Sequence, residues 1–449
     1  MDVGIIGGTV VTPTAMFRKN VYVTRGAIAA LTSKRLPARE VIDASGLYVL
    51  PGIVDSHVHF MDPGATSRED FMTGSAAAAV GGATTVIEHT HASPVIDRPS
   101  FREKAAYLKH RSVVDFGLAA HALHNRIHLA REAWNAGALY LKVFTCTTHG
   151  ITGFSSPELL QLMREVAAFD GVCLAHCEDE SITADAERQL RKSGRTDFGI
   201  IPLWRSREAE LVAVNTVTLL ARLTGVRLVI AHASHEAVIA VTTRERELGA
   251  RVWVESCPQY FYLDERDVMK YGPFRKFTPP ARIRSQRDGD AMWRRLRKGD
   301  ITYIATDHAP ATRMQKQEGT IWDVPFGLPG VETTLSLMLN ATCEGRLTLP
   351  RLVGVLCEAP ARLYGLFPRK GAIQKGADAD ITLVDLSQKR TLQDGEIYSK
   401  AGWTPYAGRH VRGNPVMTFV RGRLVARDGK PVGKPGWGRL VRRVSTDQA

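Results

Sequence analysis

The first 50 residues alternate between short apolar stretches and polar or turn-forming positions. Apolar runs occur at residues 3–6, 10–11, 21–23 and 28–31, with Gly, Thr and Pro between them. This pattern lacks the spacing of three to four residues that marks a helix and is typical of strands joined by turns. We therefore predict a small β-structure at the start of the chain.

The pattern changes at Gly52, where short β-branched runs begin to alternate with longer amphipathic stretches. This order is typical of βα units, which build a parallel sheet with helices packed against it. Eight such runs can be counted, at residues 52–58, 84–88, 113–118, 140–144, 172–175, 228–231, 251–254 and 301–305. Eight parallel strands close a (β/α)8 barrel, so we predict an α/β fold of TIM-barrel type.

Strand-like patterning returns after about Gly371. Residues 380–384 and 416–425 form apolar runs separated by glycine-rich turns. The simplest arrangement joins both ends of the chain in one small β-sandwich that the barrel interrupts. We therefore predict a composite β-sandwich domain of residues 1–50 and 371–449, and a barrel domain of residues 51–370.

Composition adds few constraints to this picture. A chain of 449 residues with 44% hydrophobic and 23% charged residues has ample material for a large core, and no apolar stretch is long enough for a bilayer. We expect no membrane association. The N-terminus lacks a basic leader followed by a cleavage site, which favours a cytoplasmic protein. The six scattered cysteines are expected to be reduced thiols.

The net charge of +13 comes largely from arginines spread along the chain. The densest runs are residues 294–298 and the tail around Arg439, Arg442 and Arg443. No nucleic-acid recognition motif accompanies them, so a solvated helix face and a loose tail are favoured over nucleic-acid binding. An anionic substrate stays compatible with this charge.

Six potential metal ligands lie at or just beyond the ends of the counted runs. His57 and His59 are two positions apart on one strand, so both imidazoles can point toward one ion. The other four potential ligands lie at or just beyond the ends of four later runs: Lys142, His176, His232 and Asp307. A lone histidine at a strand end is usually a packed residue, but ligand-type residues at so many matching positions indicate a metal site at the catalytic face of the barrel.

Lys142 is the exceptional member, because an ammonium donates hydrogen bonds and repels cations. A lysine taken alone is more often paired with a carboxylate. If CO₂ adds to its amine, however, the resulting carbamate has two oxygens that can bridge two metals. The position of Lys142 at the metal end of a strand favours this bridging interpretation.

Further short motifs are distributed along most of the chain. They occupy residues 50–59, 69–71, 81–85, 142–144, 257–260, 306–310, 329–332, 359–366 and 376–380. Their arrangement resembles the cyclic amidohydrolases of the amidohydrolase superfamily, the group of hydantoinases, dihydropyrimidinases, allantoinases and dihydroorotases. The resemblance covers nearly the whole chain and indicates the group more strongly than any one substrate.

This resemblance implies a binuclear site that usually holds zinc. One ion would be bound by four residues, His57, His59, Lys142 and Asp307. The other would be bound by three, the carbamylated Lys142, His176 and His232. Two such ions lower the pKa of a shared water and polarise an amide carbonyl. Asp307 would act as general base and acid, taking a proton from the attacking hydroxide and passing it to the departing ring nitrogen.

Three positions differ from the familiar subgroups. Met61 stands where dihydroorotases place an arginine that grips the substrate carboxylate, and His91 stands where they carry an asparagine. Thr147 stands where dihydropyrimidinases and D-hydantoinases carry a tyrosine that helps hold the oxyanion. Allantoinases match only in part, since they usually have asparagine in place of Met61. These differences argue against dihydroorotate unless other basic residues substitute.

Two further positions bear on substrate binding. Phe326 replaces an asparagine of hydantoinases, and Thr278 replaces a serine. Phe60, Met61 and Phe326 together predict an apolar pocket. We therefore expect a small-molecule cyclic amide, a hydantoin-, imide- or allantoin-like cyclic ureide with an apolar substituent, and dihydroorotase activity is the alternative within the group.

Other interpretations stay open at this stage. His89 and His91 form a second His-x-His motif, for which a place at the substrate mouth is favoured over a third metal. A mononuclear deaminase of the same superfamily would need the histidines and Asp307 but not Lys142. A non-enzymatic scaffold is disfavoured because every ligand is present. Proteins of this group are commonly oligomers, so a homodimer or homotetramer is expected.

Overall fold

The computed structural model describes residues 1–444, which form twenty strands and fifteen α-helices. The strands are β1 (Val3–Ile6), β2 (Thr9–Val11), β3 (Met16–Arg18), β4 (Asn20–Thr24), β5 (Ala27–Thr32), β6 (Glu40–Asp43), β7 (Tyr48–Pro51), β8 (Ile53–Val58), β9 (Ala83–Glu88), β10 (Asp115–Leu118), β11 (Ala120–His121), β12 (Leu141–Phe144), β13 (Val172–His176), β14 (Arg227–Ile230), β15 (Val252–Ser256), β16 (Tyr303–Ile304), β17 (Ile381–Thr391), β18 (His410–Val420), β19 (Arg423–Arg427) and β20 (Lys430–Pro431).

The helices alternate with the central strands. They are α1 (Phe71–Val80), α2 (Arg98–Leu108), α3 (Leu129–Ala136), α4 (Ser156–Ala167), α5 (Glu180–Lys192), α6 (Ile201–Trp204), α7 (Arg207–Thr224), α8 (Glu236–Glu247), α9 (Gln259–Tyr262), α10 (Asp267–Tyr271), α11 (Gln286–Lys298), α12 (Arg313–Gln317), α13 (Thr334–Cys343), α14 (Leu349–Val353) and α15 (Ala359–Leu363). A π-helical turn at Gly354–Glu358 joins the last two.

Eight parallel strands form the barrel and coincide with the eight predicted runs. They are β8, β9, β10, β12, β13, β14, β15 and β16. The third strand is broken at Ala119, after which β11 continues it and pairs with β12. The last and first strands meet through a bridge between Val58 and His308, and the N–H of His59 donates to the carbonyl of His308 at 2.7 Å. The predicted (β/α)8 barrel is therefore confirmed.

Polar side chains at the strand-to-helix junctions start the helices. The Asp70 carboxylate accepts the N–H of Thr73 at 2.9 Å at the beginning of α1. Asp97 and Ser100 form a reciprocal capping box at the beginning of α2. Such caps satisfy backbone N–H groups that have no partner inside the helix. They fix where each helix begins and so keep the preceding loops, which carry the site, in place.

Both ends of the chain build two further sheets. Their strand orders are β5-β4-β1-β6 and β20-β19-β18-β17-β7-β2-β3. In the second sheet β17 pairs with β7, with Leu383 opposite Val49, so the N-terminal and C-terminal segments share one sheet. Ile5, Val21 and Phe419 belong to the buried core between the sheets. The predicted small β domain made by both termini is confirmed.

The last described residues pack on the barrel instead of extending freely. Leu440 forms a bridge to Phe116 of β10, and the backbone N–H of Arg439 donates to a carboxylate at the start of that strand. The Arg443 guanidinium donates to the carbonyl of Trp134 at 2.8 Å and lies 3.6 Å from the centre of its ring. The expectation of a loose tail is wrong here, because tertiary contacts that the sequence does not reveal hold the segment.

The structure also shows where the basic run and the cysteines lie. The basic run 294–298 lies on α11, where Arg294 and Arg297 are exposed while Trp293 and Leu296 are buried. All six cysteines are free, and five of them are buried. Among residues 1–444, no helix combines the length and apolar character needed to cross a bilayer.

Candidate metal centre

The six predicted ligands lie together at the carboxyl ends of five barrel strands. All except Asp307 are buried, and the Asp307 side chain is 14% exposed. Asp307 Oδ1 lies 3.1 Å from His57 Nε2 and 3.3 Å from His59 Nε2. Lys142 Nζ lies 3.4 Å from His57 Nε2. On the other side of the cluster, His176 Nδ1 and His232 Nε2 are 3.0 Å apart.

These separations match the spacing of ligands around a metal ion. Two donor atoms on a tetrahedral ion with bonds of ~2.0–2.1 Å are roughly 3.3 Å apart. The three observed distances between imidazole and carboxylate donor atoms, 3.0, 3.1 and 3.3 Å, lie close to this value. Imidazole nitrogen and carboxylate oxygen are also the ligand types that zinc and similar ions prefer. The residues present therefore fit a metal centre.

The hydrogen bonds of His57 favour a cation between this ring and Asp307. His57 Nδ1 lies 2.6 Å from Glu255 Oε1, so this nitrogen carries the proton and Nε2 of the neutral ring presents a lone pair. That lone pair faces the Asp307 carboxylate. Although burial opposes the charged form, Glu255 and Asp307 raise the pKa of His57 above its ordinary value. A positive charge is thus stabilised where a metal ion would lie.

His176 is oriented by a second carboxylate in the same way. Its Nε2 donates to Glu178 Oε2 at 2.9 Å, which leaves Nδ1 free to bind an ion. Glu178 also accepts from Arg205 at 3.2 Å and from the Thr278 hydroxyl at 2.6 Å. Although burial opposes ionisation, Arg205 and His176 lower the pKa of Glu178 to about 2. Both halves of the cluster therefore have a carboxylate behind a histidine of the proposed ligand set.

Lys142 has no ion pair with a carboxylate among residues 1–444. It is 1% exposed, and its Nζ lies 5.4 Å from the centre of the Phe144 ring. Burial lowers the pKa of Lys142 below its ordinary value. The neutral amine, which is the form that reacts with CO₂, is favoured accordingly.

Backbone strain is concentrated at the cluster. His232 has φ of 37° and Asp307 has φ of 49°, and two nearby loop residues, Met61 and His149, have φ of 58° and 54°. Non-glycine residues rarely adopt this left-handed region, and each such residue costs on the order of 1 kcal/mol. The surrounding structure holds the two ligands in this conformation, so their side chains leave the strand ends at angles that a regular strand would not give.

A small cavity of about 20 Å³ lies among the ligands. Three of the six predicted substrate contacts line it: His91, Thr278 and Phe326. Gly327, which also lines it, has φ of 119°, and a Cβ there would meet the carbonyl oxygen of Ala309 at 2.0 Å. A glycine is thus required where the loop passes close to the strand end that carries Asp307.

The other three predicted contacts, Phe60, Met61 and Thr147, lie outside the cavity lining. Phe60 is fully buried and packs edge-on against Phe71, with ring centres 5.1 Å apart. It follows His59 and points to the opposite side, as alternation along an extended chain requires. Met61 is buried, and its Sδ accepts the Thr90 hydroxyl at 3.4 Å. Thr147 is exposed on the loop after β12.

Four residues of the lining were missed by the sequence analysis: Phe144, His149, Ala309 and Gly327. His149 lies on the loop after β12, and its ring stacks on His91 with centres 4.3 Å apart and an interplanar angle of 11°. No spacing marks a loop residue of this kind. Phe144 could have been found, because it lies two positions after Lys142 on the same strand and therefore shares its face.

The two histidines of the second His-x-His motif lie in different environments. His91 lines the cavity, whereas His89 lies behind the ligand histidines, with ring centres 4.4 Å from His57 and 4.3 Å from His59. His89 Nδ1 is 2.6 Å from the Tyr140 hydroxyl. His57, His59 and His89 each bring one ring nitrogen within 4.8 Å of the others. Only His91 is therefore placed at the mouth.

A (β/α)8 barrel with histidines, a lysine and an aspartate gathered at its strand ends is the arrangement found in metal-dependent hydrolases of the barrel type. The family comparison narrows this class. The amidohydrolase family matches residues 48–425, so the chain belongs to the amidohydrolase family. The expected relationship to cyclic amidohydrolases is confirmed by the relatives that follow.

Curated and solved relatives cover nearly the whole chain. The dihydroorotase of Methanothermobacter thermautotrophicus is 36% identical over 92% of this chain and 91% of its own. The allantoinase of Deinococcus radiodurans is 32% identical over 98% of this chain and 99% of its own. The solved structure of L-hydantoinase from Arthrobacter aurescens is 32% identical, covers 98% of this chain and 100% of its own, and superposes with a TM-score of 0.93.

Proposed function

We propose that this protein hydrolyses a carbon–nitrogen bond of a cyclic amide and opens its ring. The observation that carries this proposal is the convergence of six ligand-type side chains at the catalytic face of the barrel, where imidazole and carboxylate donor atoms lie 3.0–3.3 Å apart. Relatives named dihydroorotase, allantoinase and L-hydantoinase support the same reaction type.

We infer that the cluster holds two divalent ions, most simply zinc. Four residues would hold the first, His57, His59, Lys142 and Asp307. Three would hold the second, His176, His232 and Lys142 in the form of its CO₂-derived carbamate. When bound, the ions acidify a water and polarise the amide carbonyl. Glu255 and Glu178 keep His57 and His176 in the tautomers that such binding needs.

Asp307 is the residue proposed to move the proton. It lines the cavity, and its side chain is the most exposed of the six. Although burial opposes ionisation, His57, His59 and His232 hold the pKa of Asp307 well below its ordinary range. Asp307 is therefore ionised before reaction and can accept a proton from the attacking water. It then delivers that proton to the ring nitrogen as the bond breaks.

The cavity limits how a substrate enters. A volume of about 20 Å³ holds a water molecule but not a five- or six-membered ring. The loop of residues 145–154, which places His149 over His91, must therefore move outward for binding. Phe60 and Met61 lie outside the lining. An apolar substituent on the substrate would therefore contact Phe326 and Phe144 instead.

A hydrolysis panel tests the proposal. Zinc-loaded protein, kept in bicarbonate, would be assayed on allantoin, hydantoins, dihydropyrimidines, cyclic imides and dihydroorotate. We expect ring opening of at least one hydantoin or other cyclic ureide, and its loss in His232→Ala. Turnover of dihydroorotate alone would replace this assignment with the dihydroorotase alternative, and turnover of no ring would reject the proposal. Light scattering on the same sample tests the expected homodimer or homotetramer.

A further inference from the structure

Glu255 accepts hydrogen bonds from both halves of the proposed metal centre. Its Oε1 accepts Nδ1–H of His57 at 2.6 Å and the backbone N–H of His232 at 3.1 Å. His57 belongs to the ligand set proposed for the first ion, and His232 belongs to the set proposed for the second. One carboxylate oxygen therefore orients the ring of one proposed ligand and holds the backbone of another.

The bond to His232 acts on a residue with an unusual backbone conformation. His232 has φ of 37°, and such a conformation persists only where the surrounding structure holds it. Its Nε2 lies 3.0 Å from His176 Nδ1 within the cluster. The direction in which the His232 side chain leaves the backbone depends on this φ. A displacement of Glu255 would therefore move the ring of His57 and the side chain of His232 together.

Two buried tyrosines hold the other oxygen of the same carboxylate. Glu255 Oε2 accepts the Tyr303 hydroxyl at 2.7 Å, and the hydroxyl oxygens of Tyr303 and Tyr364 are 2.6 Å apart. Because a carboxylate can only accept, Tyr303 donates to Glu255 and Tyr364 donates to Tyr303. In residues 1–444, Oε2 has no other hydrogen-bond partner. The orientation of the carboxylate thus depends on this tyrosine pair.

The tyrosine pair lies in an apolar part of the barrel interior. Tyr303 lies on β16, and Tyr364 directly follows α15. Both are at most 1% exposed and belong to the same buried cluster as Val54 and Val229. A buried hydroxyl costs free energy unless it is hydrogen-bonded, and two phenylalanines would fill nearly the same space without that cost. The carboxylate of Glu255 supplies a reason for two hydroxyls at this place.

We propose that Tyr303 and Tyr364 are positioning residues of the metal centre, because they hold the carboxylate of Glu255. Through Glu255 they fix His57 and His232 jointly, so that both ions lose affinity when the tyrosine pair is broken. This inference rests on the proposed function, since it requires two ions at the cluster. In residues 1–444, neither tyrosine lines the cavity or forms a hydrogen bond with a proposed ligand, so both act through Glu255.

A series of conservative variants tests the proposal through zinc affinity. Each protein would be freed of metal, returned to bicarbonate and titrated with zinc against a competing chelator, which resolves two stepwise Kd values. Tyr303→Phe should raise both Kd values by ~3–10-fold, and Tyr364→Phe should raise both by roughly 2–3-fold. Glu255→Gln should raise both by ~10–100-fold, because it changes the side chain that contacts the ligands directly. The order of effects follows the chain of hydrogen bonds.

Tyr22→Phe is the matched control. Tyr22 is 0% exposed, and its hydroxyl accepts the backbone N–H of Leu36 at 2.6 Å in the β domain. The control should lose stability, as Tyr303→Phe does, but should keep both zinc Kd values. If Tyr303→Phe also kept both values, its hydroxyl would have a structural role alone and the inference would be overturned. A rise in only one of the two values would reject the joint effect on both ions.

The inference and the proposed function can fail separately. If both zinc Kd values depend on Tyr303 but the protein opens no ring, the inference stands and the proposed reaction is rejected. If the protein opens a ring with a single ion, the reaction stands and the inference is rejected. Should Tyr303→Phe not fold, Tyr364→Phe decides the question, and unchanged Kd values in that variant overturn the inference.

Discussion

Two clusters of buried polar residues lie at opposite ends of the barrel, and they differ in how their charges are paired. At the amino end, where the barrel meets the β domain, Lys370 Nζ lies 2.7 Å from Asp380 and 2.9 Å from Asp378, and it also pairs with Asp115 of β10. Arg421 pairs with Asp115 as well. We call these five residues the anchor cluster. Each of its carboxylates faces a cation.

At the carboxyl end, the six proposed ligand residues are matched only in part. Asp307 faces two imidazoles, and Glu255 and Glu178 lie behind His57 and His176, but the other contacts inside the cluster have no carboxylate. His57 Nε2 is directed at Asp307, His176 at His232, and Lys142 at an imidazole nitrogen. A matched network satisfies itself and stabilises the fold, whereas a partly matched one needs a further charged species. The difference in pairing thus separates structural polar residues from functional ones, in agreement with the ends of the barrel at which each cluster lies.

Removal of one proposed ligand should have the largest effect on activity and a small effect on stability. His232→Ala should lower kcat/KM on the best panel substrate by at least ~1000-fold, because an ion loses one of its few ligands. Its unfolding temperature without metal should stay within a few degrees of the wild-type value, since an unmatched imidazole contributes little stability. A large loss of stability with retained activity would mean that His232 has a structural role and not a functional one.

Removing the central cation of the anchor cluster should have the opposite effect. Lys370→Met removes the cation that three carboxylates share. Asp115 keeps a second partner, Arg421, but the buried Asp380 is left with no cationic side chain among residues 1–444, so the free energy of unfolding should fall by about 3–5 kcal/mol. Metal content and kcat of the folded fraction should be unchanged. Denaturant titration measures the free energy of unfolding, and elemental analysis measures the metal content. The exposed variant Lys375→Met is the control. A stability change no larger than that of the control would contradict the structural role.

The carboxylates behind the ligands should give intermediate effects. Glu178→Gln keeps the size of the side chain but weakens its hold on the His176 N–H, so metal affinity should fall by roughly 10–100-fold. Competition with a chelator measures this affinity. Exposed Glu247→Gln serves as control. Unchanged affinity in Glu178→Gln would show that orientation of His176 does not depend on this carboxylate.

Two threonines at the mouth provide the smallest and most specific test. Thr278 lines the cavity and donates to Glu178 at 2.6 Å, whereas Thr147 is exposed and outside the lining. Thr278→Ala should lower kcat/KM by roughly 10-fold, and Thr147→Ala should change it by less than ~3-fold. If Thr147→Ala had the larger effect, the sequence-based assignment of Thr147 as a substrate contact would be correct and the observed lining would not be the binding surface.

The strands and the positions of the six proposed ligands at the strand ends could be predicted because their signals are local. Alternation of short apolar runs gives the eight strands, and His57 and His59 face the same side because they are two positions apart. The partners of these ligands are not local. Glu255 is 198 residues from His57, and Lys370 is 255 residues from Asp115, so only the closed fold brings them together.

Side-chain directions outside regular strands were equally inaccessible from the sequence. Phe60 and Met61 follow β8, where the chain leaves the strand, and Met61 has a positive φ. Residue type alone suggested an apolar pocket. Alternation after His59 is enough to turn Phe60 away from the cavity, but the direction of Met61 depends on its positive φ, which the sequence does not reveal. His149 was missed for the same reason, since its contact with His91 depends on the conformation of a loop.

The central claim is that the partly matched ligand cluster holds two ions and that Lys142 bridges them. Elemental analysis of purified protein, equilibrated with zinc and bicarbonate and then freed of excess metal, tests it most directly. We expect about two ions per chain in the wild-type protein and in the exposed control Lys109→Ala, and at most about one in Lys142→Ala, together with loss of ring-opening activity. A value near one ion per chain that Lys142→Ala leaves unchanged would contradict the claim and indicate a mononuclear deaminase instead.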